Sequence, residues 1–213
     1  MANKTVIIAT LNAAWIASNS ANFMTPDYLK MMWRRMEFLQ IVLQMGYSFI
    51  VTDVDILWLR DPFPHFYGDA DIQVSSDHYG DNSTDSNNIA NTGFYYVKSN
   101  EKTIKFYKFW YKSKDRIPGS NDQDAFNGIR RDPLINKIGL EIEFLDTAFF
   151  GGFCKPSKDL NLVCTMHANC CVGSDKIHDL RMSIEDWKKY MALPIEERTA
   201  KPQSWTVPRI CGN

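Results

Sequence analysis

Phe49-Ile50-Val51-Thr52-Asp53-Val54-Asp55-Ile56-Leu57-Trp58-Leu59-Arg60-Asp61-Pro62 is an apolar, β-branched and aromatic run interrupted by two carboxylates. Such a run predicts a buried strand of an α/β sheet. Alternation along a strand puts Asp53 and Asp55 on the same face, both aimed at one point. Two like charges held side by side away from water are costly unless a cation or a set of donors lies between them. Carboxylate oxygens suit Mg²⁺ or Mn²⁺, commonly shared with a phosphate-bearing substrate. The strand end is therefore a candidate metal–diphosphate site. The competing reading is plain turn chemistry, of which Asp61-Pro62 is an example.

Upstream, Thr25-Pro26-Asp27 is a helix start, with Thr as N-cap, Pro at the first helical position and an acid in the first turn. The helix is expected to run to about Met45, with Leu29, Met32, Trp33, Met36, Leu39 and Leu43 on one face and Gly46 closing it. A short β-branched run, Thr5 to Leu11, precedes it. Residues 5–59 thus form a strand–helix–strand unit, which favours a parallel pair.

Downstream, Ala70 to Ser75 reads as a strand, Asp77 to Asn88 as a polar loop, and Asn91-Thr92-Gly93-Phe94-Tyr95-Tyr96-Val97 as another strand. Gly93 permits close backbone approach at its start. Asn100 caps a helix through about Lys112 whose aromatic side, Phe106, Tyr107, Trp110 and Tyr111, reads as core. Asp122 is expected to cap a short helix beginning Asp122-Gln123-Asp124-Ala125-Phe126-Asn127. A strand at Ile142 to Leu145 leads to the cysteine-rich segment. Arg181 to Leu193 reads as a surface helix with Trp187 inward, and the tail from Pro194 as a surface wrap.

The 213 residues are enough for a sizeable core, and 45% hydrophobic with 23% charged residues is ordinary for a globular chain. A net charge of −1 gives no electrostatic reason to expect nucleic acid or an anionic membrane as partner. No apolar run approaches the length of a membrane span. The start, Val6-Ile7-Ile8-Ala9 after five mostly polar residues, reads as a strand and not as a secretory leader. Five cysteines, four of them between Cys154 and Cys171 and the last at Cys211, fit two disulfides plus one thiol in an oxidising compartment. The connectivity stays open, and Cys164-x-x-His167-x-x-Cys170 also reads as part of a zinc site. Asn82-Ser83-Thr84 is a glycosylation sequon in a polar loop.

Four pieces in order, Thr52-Asp53-Val54-Asp55-Ile56-Leu57-Trp58, Asn91-Thr92-Gly93-Phe94, Asp122-Gln123-Asp124-Ala125-Phe126-Asn127, and His167 followed by Gly173-x-x-Lys176, resemble the nucleotide-diphospho-sugar transferases of the GT-A fold. More narrowly they resemble the plant glycosyltransferase family 77 group, of which the helix Tyr28-Leu29-Lys30-Met31-Met32-Trp33-Arg34-Arg35 is typical. The resemblance covers nearly the whole chain. It implies a Rossmann-like three-layer α/β sandwich with a central mixed, mostly parallel sheet. Residues 1–98 would form a partial nucleotide-binding half and 99–213 an acceptor and catalytic half of one domain.

The implied function is metal-dependent transfer of a sugar, with retention, from a UDP-sugar to a glycan or glycoprotein acceptor in the Golgi lumen. The sugar would be a pentose such as arabinose or xylose, or galactose. Asp55 would be the direct Mn²⁺ (or Mg²⁺) ligand, Asp53 would touch the metal or the donor ribose, and His167 would complete the ligation. Thr10, Asn12, Asp53, Asn91, Thr92, Gly93, Gly173 and Lys176 would contact the donor. Related retaining enzymes carry a His-x-x-Gly-x-x-Lys segment for the same task, whereas His167 here precedes Gly173 by a longer loop. Gln123 and Asp124 would sit beside the donor sugar. Asp124 is either nucleophile, or stabiliser of an oxocarbenium-like centre, or simply part of a helix cap. Relative to the family, the passage from Asn12-Ala13-Ala14-Trp15 to Phe23-Met24-Thr25-Pro26 is short, and the chain is expected to lack the anchor and stem of a Golgi enzyme. The expectation is a truncated nucleotide-binding half. The alternative function is a catalytically weak or inactive descendant that associates with other glycosyltransferases.

Overall fold

The structure is a computed structural model of the chain, and it describes residues 4–10 and 24–211. These residues fall into two compact units. The first takes the described residues of Met1–Val54 with Tyr67–Val74 and Ala90–Glu143; the second takes Asp55–Phe66, Ser75–Ile89 and the described residues of Phe144–Asn213.

In the first unit β1 (Thr5–Thr10) and β2 (Ser48–Asp53) pair in parallel across α1 (Pro26–Gln44), as the strand–helix–strand pattern predicts. Thr25 is the N-cap, its hydroxyl accepting from the Tyr28 amide at 3.4 Å, and Gly46 follows the helix at φ +85°. The buried face of α1 is Met32, Met36, Leu39, Val42 and Leu43. β5 (Ile89–Val97) pairs antiparallel with β2, Phe49 opposite Val97 and Thr52 opposite Phe94. With β4 (Ile72–His78) and β6 (Ile142–Phe144) they complete a mixed five-stranded sheet in the order β1-β2-β5-β4-β6. α2 (Glu101–Ser113) starts from a capping box in which Asn100 and Thr103 each bond the other's backbone. Phe106, Tyr107 and Trp110 of α2 are fully buried, and Phe49 meets Tyr107 edge to face at 5.9 Å. α3 (Asp122–Ile129) seats Phe126 against Trp110, ring centroids 4.8 Å apart. α4 (Pro133–Ile138) has Asp132 as N-cap and Gly139 at φ +63° as C-cap.

The second unit holds a three-stranded sheet in the order β3-β8-β7, from β3 (Ile56–Trp58), β7 (Phe150–Gly152) and β8 (Thr165–His167). β3 pairs antiparallel with β8, and β7 parallel with β8. α5 (Gly173–Ala192) and the short α6 (Ile195–Ala200) follow. The unit's core is Phe153, Leu160, Val163, Met166, Ala168, Tyr190, Trp205, Val207 and Cys211, with Trp187 partly buried against it. Disulfides join Cys154 to Cys170 and Cys171 to Cys211, leaving Cys164 as a buried thiol. Two disulfides and one spare thiol are what the cysteine count suggested. Among the described residues no helix is long and apolar enough to cross a membrane.

Several expectations need correction. The run from Phe49 to Leu59 is not one strand: β2 ends at Asp53, Val54 and Asp55 form a turn, and β3 belongs to a different sheet. Strand alternation therefore does not extend from Asp53 to Asp55, because it applies only within a continuous strand. The Cys164–His167–Cys170 zinc reading also fails, since the Cys170 sulfur is spent in a disulfide. Asn121, not Asp122, caps α3, its side chain accepting from the Asp124 amide at 2.8 Å. The helix expected from Arg181 begins at Gly173. The tail is more than a surface wrap, since it contributes Trp205, Val207 and Cys211 to the core.

Candidate functional site

In the first unit the centre is Arg35, a cation on the inward stripe of α1. Its Nη2 lies 2.6 Å from Asp122 Oδ2 and its Nη1 lies 3.5 Å from Asp53 Oδ1. The Asp122 side chain is only 3% exposed and that of Arg35 12%. A guanidinium buried this far is tolerable because carboxylates face it; removing one partner from such a group costs about 3–5 kcal/mol. Burial alone would lower the Arg35 pKa, but Asp122 and Asp53 outweigh it and drive the value up, so the cation is permanent. Tyr28, one helical turn before Met32, is pushed up to about 12, by burial first and then by Asp122.

The Asn91-Thr92-Gly93 segment and α3 interlock at the same place. The Thr92 hydroxyl donates to Asp122 Oδ2 at 3.3 Å, the Thr92 amide donates to Gln123 Oε1 at 3.1 Å, and the Gly93 amide donates to Asn91 Oδ1 at 2.9 Å. Asn127 clamps the strand from the next turn of the helix, giving and taking a 2.9 Å bond with the Ala90 backbone. The Trp110 indole donates to the Asp122 carbonyl at 2.9 Å. Asp53, Thr92 and Gln123 of the expected site thus gather around the Arg35–Asp122 pair. Asp124 is exposed, in the same first helical turn as Asp122. Thr10 ends β1 in register with Asp53. The Thr10 side chain and the whole of Asn12 lie outside the described residues.

In the second unit Asp55 is shared between two basic groups. Its Oδ1 is 3.2 Å from His167 Nε2 at the end of β8, and its Oδ2 is 2.7 Å from Lys176 Nζ in the first turn of α5. The Asp55 carbonyl accepts from the Ala168 amide at 3.1 Å, which continues the β3–β8 pairing past His167. Burial would raise the Asp55 pKa, but the hydrogen bond and charge of His167, and then Lys176, hold it far below the ordinary carboxylate range. The side chain is an anion at any physiological pH. One carboxylate oxygen and one imidazole nitrogen at this separation fit a hard or borderline divalent cation such as Mn²⁺. Gly173, at φ +62°, is the first residue of α5, a backbone conformation that side-chain-bearing residues rarely adopt. It precedes Lys176 by one helical turn, so the His-to-Lys segment ends on a helix start instead of a loop.

The Arg35–Asp122 pair is a feature that sequence reasoning did not anticipate. The signal for Arg35 was present, as a charge three residues after Met32 on an otherwise apolar helical stripe. Its partner was not legible, because Asp122 lies 87 residues away.

The family model for nucleotide-diphospho-sugar transferases matches residues 4–180. The uncharacterized Arabidopsis thaliana protein At4g15970 is 47% identical over 190 residues, which is 89% of this chain and 49% of that protein. UDP-D-xylose:L-fucose alpha-1,3-D-xylosyltransferase 3, also from Arabidopsis thaliana, is 27% identical over 123 residues, 49% of this chain and 32% of its own length. The chain therefore spans about half or less of these relatives. Among solved structures, a glycosyltransferase involved in glycosylating the major capsid of PBCV-1 superposes with a TM-score of 0.56 at 10% identity, over 84% of this chain and all of that one. The α/β fold of GT-A type is the one the sequence implied. A family match over most of the chain, on that fold, places the protein in the nucleotide-diphospho-sugar transferase family.

Proposed function

We propose that this chain is a metal-dependent glycosyltransferase that moves a sugar, with retention, from a UDP-sugar to a glycan or glycoprotein acceptor. The observation that carries the reading is Asp55 held between His167 and Lys176, an anion, an imidazole and an ammonium converging at one point. Asp55 and His167 would hold Mn²⁺ (or Mg²⁺), with Asp53 two residues back as the other carboxylate of the motif. When bound, the cation supplies Lewis-acid stabilisation of the charge that builds on a departing diphosphate. Lys176 adds a second positive charge to that leaving group, and Gly173 lets backbone amides approach it.

In the first unit Gln123 is the residue this reading assigns to the donor sugar, beside the Arg35–Asp122 pair. Asn91, Thr92 and Gly93 line the same strand. Asp124, exposed and free of capping duty, is the carboxylate available to the anomeric centre. It would act there as nucleophile or as a charge stabiliser. A pentose such as xylose or arabinose is the donor sugar favoured by the plant relatives, with galactose as the alternative. The Golgi lumen is the compartment such an enzyme would occupy.

The decisive test is a thermal-shift titration with UDP, with and without Mn²⁺. A ligand that binds only the folded state stabilises it by about 2.7 kcal/mol at a hundredfold excess over Kd. The expected result is a Mn²⁺-dependent rise in Tm with UDP that disappears in Asp55→Ala. A folded protein that UDP and Mn²⁺ leave unshifted would overturn the reading and favour a non-catalytic descendant that pairs with other transferases.

A further inference from the structure

The polar loop after β4 plays no part in the proposed transfer, yet it carries Asn82-Ser83-Thr84. Asn82 and Thr84 are both exposed. The Thr84 hydroxyl donates to Asn82 Oδ1 at 3.1 Å, and the Thr84 amide donates to the same oxygen at 3.0 Å. The carboxamide oxygen is thereby engaged, while Asn82 Nδ2 takes part in none of the hydrogen bonds found among the described residues. Other asparagines of the second unit use that nitrogen internally: Asn88 Nδ2 donates to the Asn82 carbonyl at 2.8 Å and Asn169 Nδ2 to Asp77 Oδ1 at 2.9 Å. The loop is also anchored from beneath, through the Phe144 amide on the Ser83 carbonyl at 2.8 Å and the Gly80 amide on Asn88 Oδ1 at 2.8 Å. It presents Asn82 outward from a fixed base.

A second, independent observation concerns the compartment. The same unit is crosslinked by Cys154–Cys170 and Cys171–Cys211, and such bonds form and persist where the surroundings are oxidising. That is the side of the membrane on which sequon asparagines meet their modifying enzyme.

We propose that Asn82 is an N-glycosylation site. The glycosyl donor is an oligosaccharide linked through diphosphate to a lipid. A bond forms between Asn82 Nδ2 and the anomeric carbon, the bond from that carbon to the diphosphate oxygen breaks, the lipid diphosphate departs, and one Nδ2 proton passes to a base on the transferring enzyme. The Thr84 hydroxyl is the group that polarises the carboxamide. Because Asn82 is exposed, the folded unit carries the glycan without burying sugar. This proposal does not rest on the transferase reading.

The test is to direct the chain by a cleavable leader into the secretory lumen of eukaryotic cells and recover the protein with both disulfides formed. Peptide N-glycosidase treatment in isotopically heavy water then marks each formerly glycosylated asparagine as labelled aspartate. Peptide mapping is required, since Asn3-Lys4-Thr5 is also a sequon. The expected result is label at residue 82 in most molecules, retained in Thr84→Ser and lost in both Thr84→Ala and Asn82→Gln. A non-reducing peptide map showing both disulfides in Thr84→Ala separates loss of the sequon from loss of the fold. Disulfide-bonded protein from the lumen with unlabelled Asn82 would overturn the proposal.

Discussion

Lys176 shows how one residue can link two ligands. Its ammonium lies 2.7 Å from Asp55 Oδ2, so in this state it partly neutralises the carboxylate that a cation would use. A diphosphate arriving with the cation gives that ammonium another anion to pair with. On the proposed function, Lys176→Met should tighten the binding of Mn²⁺ alone by roughly tenfold, the scale on which a neighbouring charge shifts a carboxylate. It should also shrink the gain that UDP brings to Mn²⁺ binding. Titration of Mn²⁺ by its paramagnetic resonance signal, with and without UDP, reads both effects; unchanged affinity in both titrations would contradict the coupling. Asp179 is a different kind of residue, buried and structural. Its Oδ2 accepts from the backbone amides of Arg209, Ile210 and Cys211 at 2.9, 3.0 and 2.9 Å, and its Oδ1 meets His178 Nδ1 at 3.1 Å. Burial pushes this carboxyl up, but the amides of Cys211 and Arg209, with His178 and Ile210, hold it below the usual range. A folded-state value depressed below the unfolded one stabilises the fold above the ordinary carboxylate pKa, and that stability fades as pH falls through the folded value. Urea unfolding of the native chain should therefore weaken on acidification below about pH 4 more steeply than that of Asp179→Asn. Equal slopes would remove Asp179 from the account.

At the scale of elements, the legible parts were those where local chemistry and tertiary packing agree. Thr25-Pro26, Gly46 and the Asn100 cap each announce a helix end through a side chain or a backbone angle that no other residue supplies as cheaply. The break at Val54-Asp55 gave no such sign, since Ile56-Leu57-Trp58 continues the apolar pattern while serving another sheet. The start of α5 was missed for a related reason: its N-cap position is Val172, whose side chain makes no capping bond. α4 was legible in principle, for Asp132-Pro133 and Gly139 bracket it as a cap, a first-turn proline and a left-handed stop. Of the expected site, Asp53, Thr92 and Gln123 lie around one ion pair and His167 and Lys176 around Asp55, but the Arg35–Asp122 hub needed a pairing that no local pattern encodes. The disulfides carry an element-scale prediction. Cys154–Cys170 closes a separation of 16 residues and Cys171–Cys211 one of 40. In the chain-entropy description these constrain the unfolded state by roughly 3 and roughly 4 kcal/mol. Replacing both cysteines of each pair by Ser should therefore cost more stability for Cys171 and Cys211, measured by denaturant unfolding. The reverse order would mean that native contacts around the Cys154–Cys170 bridge dominate over loop closure.

At the scale of the molecule, the route of the polypeptide matters as much as the sites. The chain passes from one unit to the other at 54/55, 66/67, 74/75, 89/90 and 143/144, so each unit is assembled from three separate stretches. One of those passages falls between the two carboxylates of the Asp53-Val54-Asp55 triplet. Asp53 completes a strand of one sheet and Asp55 opens the approach to a strand of the other. No single cut yields either unit whole, and no single crossover between genes could exchange one unit while leaving the other behind. The two sets of charged residues, one around Arg35 and one around Asp55, are interleaved along the chain. Engineering this protein by swapping halves with a relative would therefore divide both sets, whereas a point change or a loop insertion can leave each intact.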